Sequence, residues 1–414
     1  MSKIQQSERT LLLILAAIQF TNIVDFMIMM PMGDILKKEL SIDPQHYGWL
    51  VSSYGIAAFV TAFAGVFYLD NLDRRKALLT AYFGFMIGTL SSAVLPNTDN
   101  DAVNYLVFIF TRVITGLTGG LLGGLVMSII GDAIPIERRG RAMGIVTISF
   151  SLAAILGMPI ALTLVDVFDN NWHVPFYGVT LLAAPIWVLA WKKIPPMRAH
   201  LTHKRNYDRT AAIRMAFTTR EQRNALLFTV LLVLGQFTVI SFMTPYYINN
   251  VGLLQSDIKW IYLVGGAATV VSGFLIGRMV DLLGRFRVFT IAASLSIIPV
   301  LVITHLPAVP LYVVLLIAGF FFVLISGRMI PANTIATAVV SPQQRGGFMS
   351  LNSAMMSLAS GSSGIISGAI ITQVDQNSPL MNFEWVGYLA AGSTLLSLVI
   401  VRVLKRIAIE KETA

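Results

Sequence analysis

Long apolar runs, each bounded by charge or by Pro, Asn and Gly punctuation, follow one another along nearly the whole chain. A run of about 20 residues rising about 1.5 Å each crosses a hydrocarbon core about 30 Å thick, so each reads as a membrane-spanning helix. The pattern predicts twelve, near residues 10–32, 47–69, 77–95, 103–131, 142–166, 174–191, 225–248, 257–280, 288–305, 310–339, 346–372 and 384–402. The expected fold class is therefore an all-α polytopic membrane protein. The first run is too long for a signal-peptide core and reaches Pro31 without a small-residue cleavage pattern, so it is read as a span.

Composition sharpens this picture. Of 414 residues, 56% are hydrophobic and 12% charged, about half the charge of a soluble domain. Short loops leave no room for a sizeable soluble domain. Zero cysteines exclude disulfides, thiolate metal sites and Cys nucleophiles. The net charge of +9 sorts by side: Arg74, Arg75, Lys76, Arg138, Arg139, Arg141, Arg285, Arg287 and Arg345 fall in the even-numbered turns, whereas Lys37, Lys38 and Lys259 lie opposite. An even span count with this bias predicts both termini in the cytoplasm, and topology rather than nucleic acid explains the charge.

The longest polar stretch divides the chain into a six-helix bundle at 1–191, a basic cytoplasmic linker at 192–224 and a second bundle at 225–414. The linker has nine basic residues, Lys192, Lys193, Arg198, Lys204, Arg205, Arg209, Arg214, Arg220 and Arg223, against Asp208 and Glu221. Such a strip beside a membrane attracts anionic lipid.

The two bundles repeat one another. Gln19-Phe20-Thr21 matches Gln236-Phe237-Thr238 at an offset of 217; Trp49 matches Trp260, and Asp70 with Arg74 matches Asp281 with Arg285, at 211; Arg139-Gly140 matches Arg345-Gly346 at 206. Duplicated halves with an even span count keep one topology and relate by an axis along the membrane normal. The symmetry supports a polar site between halves that rock to open it on either side, which is alternating access.

With these marks the chain resembles the major facilitator superfamily over essentially its whole length, which implies twelve spans in two parallel six-helix bundles. The loop signature Gly-x-x-x-Asp-x-x-Gly-Arg stands as Gly277, Asp281, Gly284 and Arg285; the first-half copy keeps Asp70, Arg74 and Arg75 but has Val66, Asn71 and Asp73 at signature positions. Arg112-x-x-x-Gly116, the run Glu137 to Arg141 and Gly157-x-Pro159 add to it, the last resembling the antiporter motif of the drug:proton and sugar-efflux branch despite Ala161. The resemblance implies gating by Asp70, Arg74, Gly277, Asp281, Gly284, Arg285, Gly157 and Pro159, with the degraded first copy leaving more of the cytoplasmic closure to the second.

Of twenty-one acidic residues, Asp25 alone sits well inside a predicted span. About fifteen residues from the cytoplasmic start put it roughly 22 Å deep, and Arg112, counted from the other side, lies roughly 18 Å from the inner surface. A carboxylate raised by desolvation and lowered by a nearby Arg can exchange a proton as a cavity opens; the alternative is an ion pair that orders the bundle. Arg328, with no acidic residue at its depth, reads either as an anchor for an anionic substrate or as a side chain that snorkels or bonds backbone carbonyls. Gln19, Asn22, Gln236, Asn333 and Asn352 are polar groups in or near spans that need a partner or a wet cavity. Phe20, Phe26, Tyr54, Phe237, Phe242 and Tyr246 are candidates for an apolar wall around an organic substrate, with core packing the plainer reading. Gly116, Gly120 and Gly124, and Ser360, Gly364 and Gly368, have the spacing of close helix packing.

His46, His173, His200, His203 and His305 lie in loops or span ends, so no intramembrane metal pair is expected. No phosphate-binding loop or nucleophilic constellation is present, so neither ATP drive nor an enzyme is expected, and no cofactor. The proton gradient is the expected energy source. The leading expectation is a proton-coupled antiporter exporting small drug-like or sugar-like molecules, a monomer in the bacterial inner membrane with lipid as its surroundings. The alternatives are a symporter or uniporter importing a small organic anion, and a non-transporting sensor or scaffold.

Overall fold

A computed structural model describes residues 3–95, 98–198, 209–340 and 345–413. The helices are α1 (Lys3–Ile28), α2 (Gly33–Glu39), α3 (Pro44–Tyr68), α4 (Arg74–Ala93), α5 (Asp101–Ala133), α6 (Ile136–Leu152), α7 (Met158–Val167), α8 (Val174–Lys193), α9 (Arg209–Thr218), α10 (Arg220–Tyr246), α11 (Ile258–Leu283), α12 (Arg285–Thr304), α13 (Leu311–Ala338), α14 (Arg345–Ile370) and α15 (Phe383–Thr413). Counting α6 and α7 as one rod, six spans precede the linker and six follow. Among the described residues, ten rods are long and apolar enough to cross a membrane on their own. The other two are α4, which opens on Arg74, Arg75 and Lys76, and α14, which mixes Ser and Gly through its length. Since α14 packs along α3 and α10, much of its surface meets protein rather than lipid.

Local chemistry sets the helix ends. Asn100 caps α5 by accepting from the amides of Ala102 and Val103, and Asp73 caps α4 by accepting from those of Arg75 and Lys76. The predicted fifth span is present as one rod over Ala142–Val167, with residues Ala153–Gly157 forming a π-turn between α6 and α7. Pro159 has no N–H to donate, and a widened turn just before it absorbs the missing bond. The first span ends at Ile28, and Pro31 leads into α2, a short outer helix the pattern did not separate. Part of the predicted linker is helical, because α9 and α10 meet at an extended Thr219. Linker residues His200, His203, Lys204, Arg205 and Asp208 lie outside the described residues.

The two halves meet along α3 and α14, and where α11 packs against the π-turn and α7. The first seam is backbone on backbone: a Cβ on Gly55 would lie 2.5 Å from Gly361 Cα, and one on Gly368 would lie 2.6 Å from the Pro44 carbonyl oxygen. Only glycine permits rods to approach so closely.

Candidate functional site

Asp25 and Arg112 meet as the depth argument requires. Arg112 Nη1 donates to Asp25 Oδ2 at 2.9 Å, and both side chains are fully enclosed. Nη2 adds a 3.3 Å bond to the Asp25 carbonyl oxygen, and Thr89 Oγ1 donates to Asp25 Oδ1 at 3.1 Å. A buried charge of either sign is costly alone, and here each enclosed group has its opposite within hydrogen-bond distance. The Arg112 guanidinium also lies over the rings of Tyr54, at 5.0 Å, and Phe176, at 5.6 Å. Its Nε has no hydrogen-bond partner.

Tyr54 packs directly against this pair, and Phe26 packs on its ring in turn. Its hydroxyl donates to Asn22 Oδ1 at 2.7 Å, and Asn22 Nδ2 donates to the Gly119 carbonyl at 3.4 Å. A Cβ at Gly119 would collide with the Tyr54 hydroxyl. Phe26 packs on Tyr54 at 5.3 Å and on Phe237 of the second half at 5.7 Å. Gln19, Phe20, Phe26, Gln236 and Phe237 are half-buried, and the amide oxygen of Gln19 has no partner. Gly157 lets the π-turn approach α1, since a Cβ there would strike Val24, next to Asp25.

The remaining cavity candidates stand elsewhere. Arg328 is fully enclosed in the second half, where Nη1 donates to Ser296 Oγ at 3.1 Å and Thr394 Oγ1 at 2.9 Å, and Nη2 to the Leu232 carbonyl at 3.4 Å. Of its two sequence readings, the geometry matches bonding to neutral oxygen groups. Tyr246 donates to the Leu306 carbonyl at 3.0 Å and packs on Phe383, inside the same half. Phe242 is buried edge-on to Tyr47 at 5.1 Å. Asn333 is exposed near the C-terminal end of α13, and Asn352 is buried in α14 with an unpartnered amide oxygen.

Phe242 and Tyr47 belong to an outer seal. Tyr47 donates to the carbonyls of Met29 and Ser241, at 3.2 Å each. Asn249 Nδ2 donates to Asp34 Oδ1 at 2.6 Å, Lys37 Nζ to Gln373 Oε1 at 2.7 Å, Gln376 Nε2 to the Ile42 carbonyl at 2.9 Å, and Lys259 pairs with Asp166 at 2.8 Å. Apart from the Tyr47–Met29 bond, each ties one half to the other at the end of the bundle that carries α2. Lys37, on α2, is wholly enclosed; burial pushes its ammonium down to about 8, Asp34 offsets part of this and Lys38 adds to it.

The two loop signatures differ in their surroundings. Arg74 is buried, bonding Asp132 Oδ2 at 3.3 Å and the Leu69 carbonyl at 3.2 Å, and Asp73 accepts from Arg198 Nε at 2.9 Å. The side chain of Asp70 lies outside the described residues. Asp281 is exposed and Arg285 lies over its neighbour Phe286 at 5.3 Å. Gly284 closes α11 at φ 81 and ψ 146, a conformation left to glycine, and Gly277 has open space where a Cβ would stand. Pro159 lies in the first turn of α7.

Sequence reasoning missed Thr89, Lys37 and Gln373. Thr89 carried only the weak signal of a hydroxyl within a span, and Lys37 and Gln373 are 336 positions apart.

The Major Facilitator Superfamily model matches residues 15–254 and again 225–413. An MFS-type transporter of Bacillus subtilis (strain 168) is 26% identical over 306 residues, 71% of this chain and 69% of that one. A probable sugar efflux transporter of Helicobacter pylori (strain G27) is 23% identical, and the match spans 62% of each chain. A chloramphenicol efflux pump of Mycobacterium tuberculosis (strain ATCC 25618 / H37Rv) is 26% identical, over 61% of this chain and 59% of that one. The fold is similar to the crystal structure of a D-xylose–proton symporter, with a TM-score of 0.75 at 16% identity over 94% of this chain and 96% of that one.

Proposed function

Because the chain belongs to the Major Facilitator Superfamily, we propose that it is a secondary transporter that exchanges protons for small neutral organic molecules and exports them by alternating access. The observation that carries this reading is the enclosed Asp25–Arg112 pair behind Tyr54 and Asn22. A proton on Asp25 abolishes the charge attraction to Arg112, so proton binding and the packing of α1 on α5 are linked. Phe26 and Phe237 meet across the halves, and Gln19 and Gln236 are half-buried amides on spans of the two halves; together they favour an uncharged cargo with an apolar body. Similarity to proteins named as sugar and chloramphenicol efflux transporters supports the outward direction. Both termini are assigned to the cytoplasm of a bacterial inner membrane, because Lys and Arg crowd the even-numbered turns.

The test is transport in proteoliposomes with an imposed pH gradient, using chloramphenicol and a panel of neutral sugars. Cargo should move against the proton, and Asp25→Asn should retain downhill exchange while losing uphill accumulation. Uphill transport by Asp25→Asn with an unchanged pH profile would overturn the reading.

A further inference from the structure

The buried pair does not touch the second half, yet a continuous row of aromatic rings connects them. The Arg112 guanidinium lies 5.0 Å from the Tyr54 ring, Tyr54 lies 5.3 Å from Phe26, and Phe26 lies 5.7 Å from Phe237 on α10. Enclosure falls along the row: Arg112 is 0% exposed and Tyr54 6%, whereas Phe26 and Phe237 are half-buried. Two different bonds fix Tyr54. Its face is held by the cation and its hydroxyl by Asn22, so the ring cannot turn without losing one of them. Phe26, one residue from Asp25 on α1, is wedged between Tyr54 and the opposite half. Separation of the halves therefore removes Phe237 from Phe26 and takes away the backing that keeps the Tyr54 ring over the pair.

We propose that the row Tyr54–Phe26–Phe237 is a water barrier that reads the separation of the two halves and sets the access of water to Asp25 and Arg112, with Tyr54 as the positioning residue. The proposal rests on the reading of Asp25 as the proton site. It adds the device by which movement between halves controls when that site can titrate. An apolar ring between an ion pair and water raises the cost of hydrating the pair, and an opening of the row lowers it at once.

The absence of native cysteine supplies the experiment. Thr89→Cys places a single thiol beside Asp25, where the hydroxyl now bonds Oδ1 at 3.1 Å. Its rate of modification by a charged methanethiosulfonate reagent, on purified protein without cargo or gradient, reports water access to the pair. Adding Tyr54→Leu should speed labelling by about tenfold or more, Phe237→Ala by a smaller factor, and Tyr54→Phe should leave the rate near that of the parent. Equal rates in the parent and both the Tyr54→Leu and Phe237→Ala variants would overturn the proposal. Labelling of Tyr54→Phe as fast as Tyr54→Leu would also overturn it, since the hydroxyl bond and not the rings would then hold water back. Should Tyr54→Leu fail to fold, the half-buried Phe237→Ala decides alone. A second readout is the pH profile of transport in the Thr89-intact variants, which must shift in Phe237→Ala and stay in place in Tyr54→Phe. Since labelling needs neither cargo nor gradient, the barrier can fail while Asp25→Asn still uncouples transport, and the barrier can hold while that assay fails.

Discussion

Each half of the molecule buries one arginine completely, and the two are satisfied in opposite ways. Arg112 meets a carboxylate, Asp25, whose charge depends on a proton; Arg328 meets two hydroxyls and a carbonyl, whose charge does not. The repeat offset of 217 carries Asp25 to Phe242, so the second half has an aromatic ring in the outer seal where the first has its acid. Duplication supplied both scaffolds, and a titratable partner in the first half alone makes the halves chemically unequal. A carboxylate–guanidinium pair can lose its attraction to a proton, whereas a cation among fixed dipoles cannot.

The strongest way to break this comparison is to remove one partner of the first-half ion pair. Arg112→Ala should abolish uphill transport and destabilise the protein by about 3 kcal/mol, because it leaves Asp25 enclosed without its cation. Thermal unfolding in detergent together with proteoliposome flux measures both. A next-largest contrast comes from Arg328→Met. Ser296 and Thr394 already donate to the carbonyls of Ala293 and Ala390, so neither is orphaned when the guanidinium is lost. Stability should change by less than about 1 kcal/mol, with the pH profile of transport unmoved; a lost pH dependence would give Arg328 a share in coupling.

The loop signatures extend the contrast between halves. Arg74 is bonded inside its own half, whereas Asp281 stands exposed with the outer side sealed. Asp281→Asn should favour the state sealed outside and open to the cytoplasm by about 1 kcal/mol, and more than Asp70→Asn does. Double electron–electron resonance between labels on the cytoplasmic ends of the halves reads this, and a larger effect from Asp70→Asn would reverse the assignment. The smallest expected effect belongs to a third enclosed cation, Lys37, held by the neutral Gln373. In the sealed state its ammonium is pushed from an ordinary 10.5 down to about 8, so the sealed state binds this proton less tightly than an open one. Raising the pH from about 8 to about 10 should therefore favour sealing, and below about 8 the balance should be flat. Outer-side distances measured across that range in the parent and in Lys37→Gln test it, with the variant expected to be insensitive.

The apolar runs made the spans legible, and helix arithmetic alone brought Asp25 and Arg112 to one level. Their contact was readable because both are rare residues inside lipid, where almost nothing else can satisfy them. Arg328 was less readable: hydroxyls and backbone carbonyls occur at every depth, so sequence leaves its partners open. The outer seal was silent for a different reason. Lys37 resembles any loop lysine until the two halves close over it, and no local pattern shows that Gln373 waits on the far side. The π-turn was half visible, since Pro159 announces a disturbed helix but not how the chain absorbs it.

The glycine seam between α3 and α14 has a consequence for the cycle itself. Side chains that interlock across an interface must be frozen each time it forms, and long ones lose about 1–2 kcal/mol of rotamer freedom apiece. At Gly48, Gly55, Gly361 and Gly368 the touching surfaces are main chain, already ordered within each rod. Joining and parting them leaves side-chain entropy almost unchanged, so the seam can engage and release on every turnover without a rotamer search.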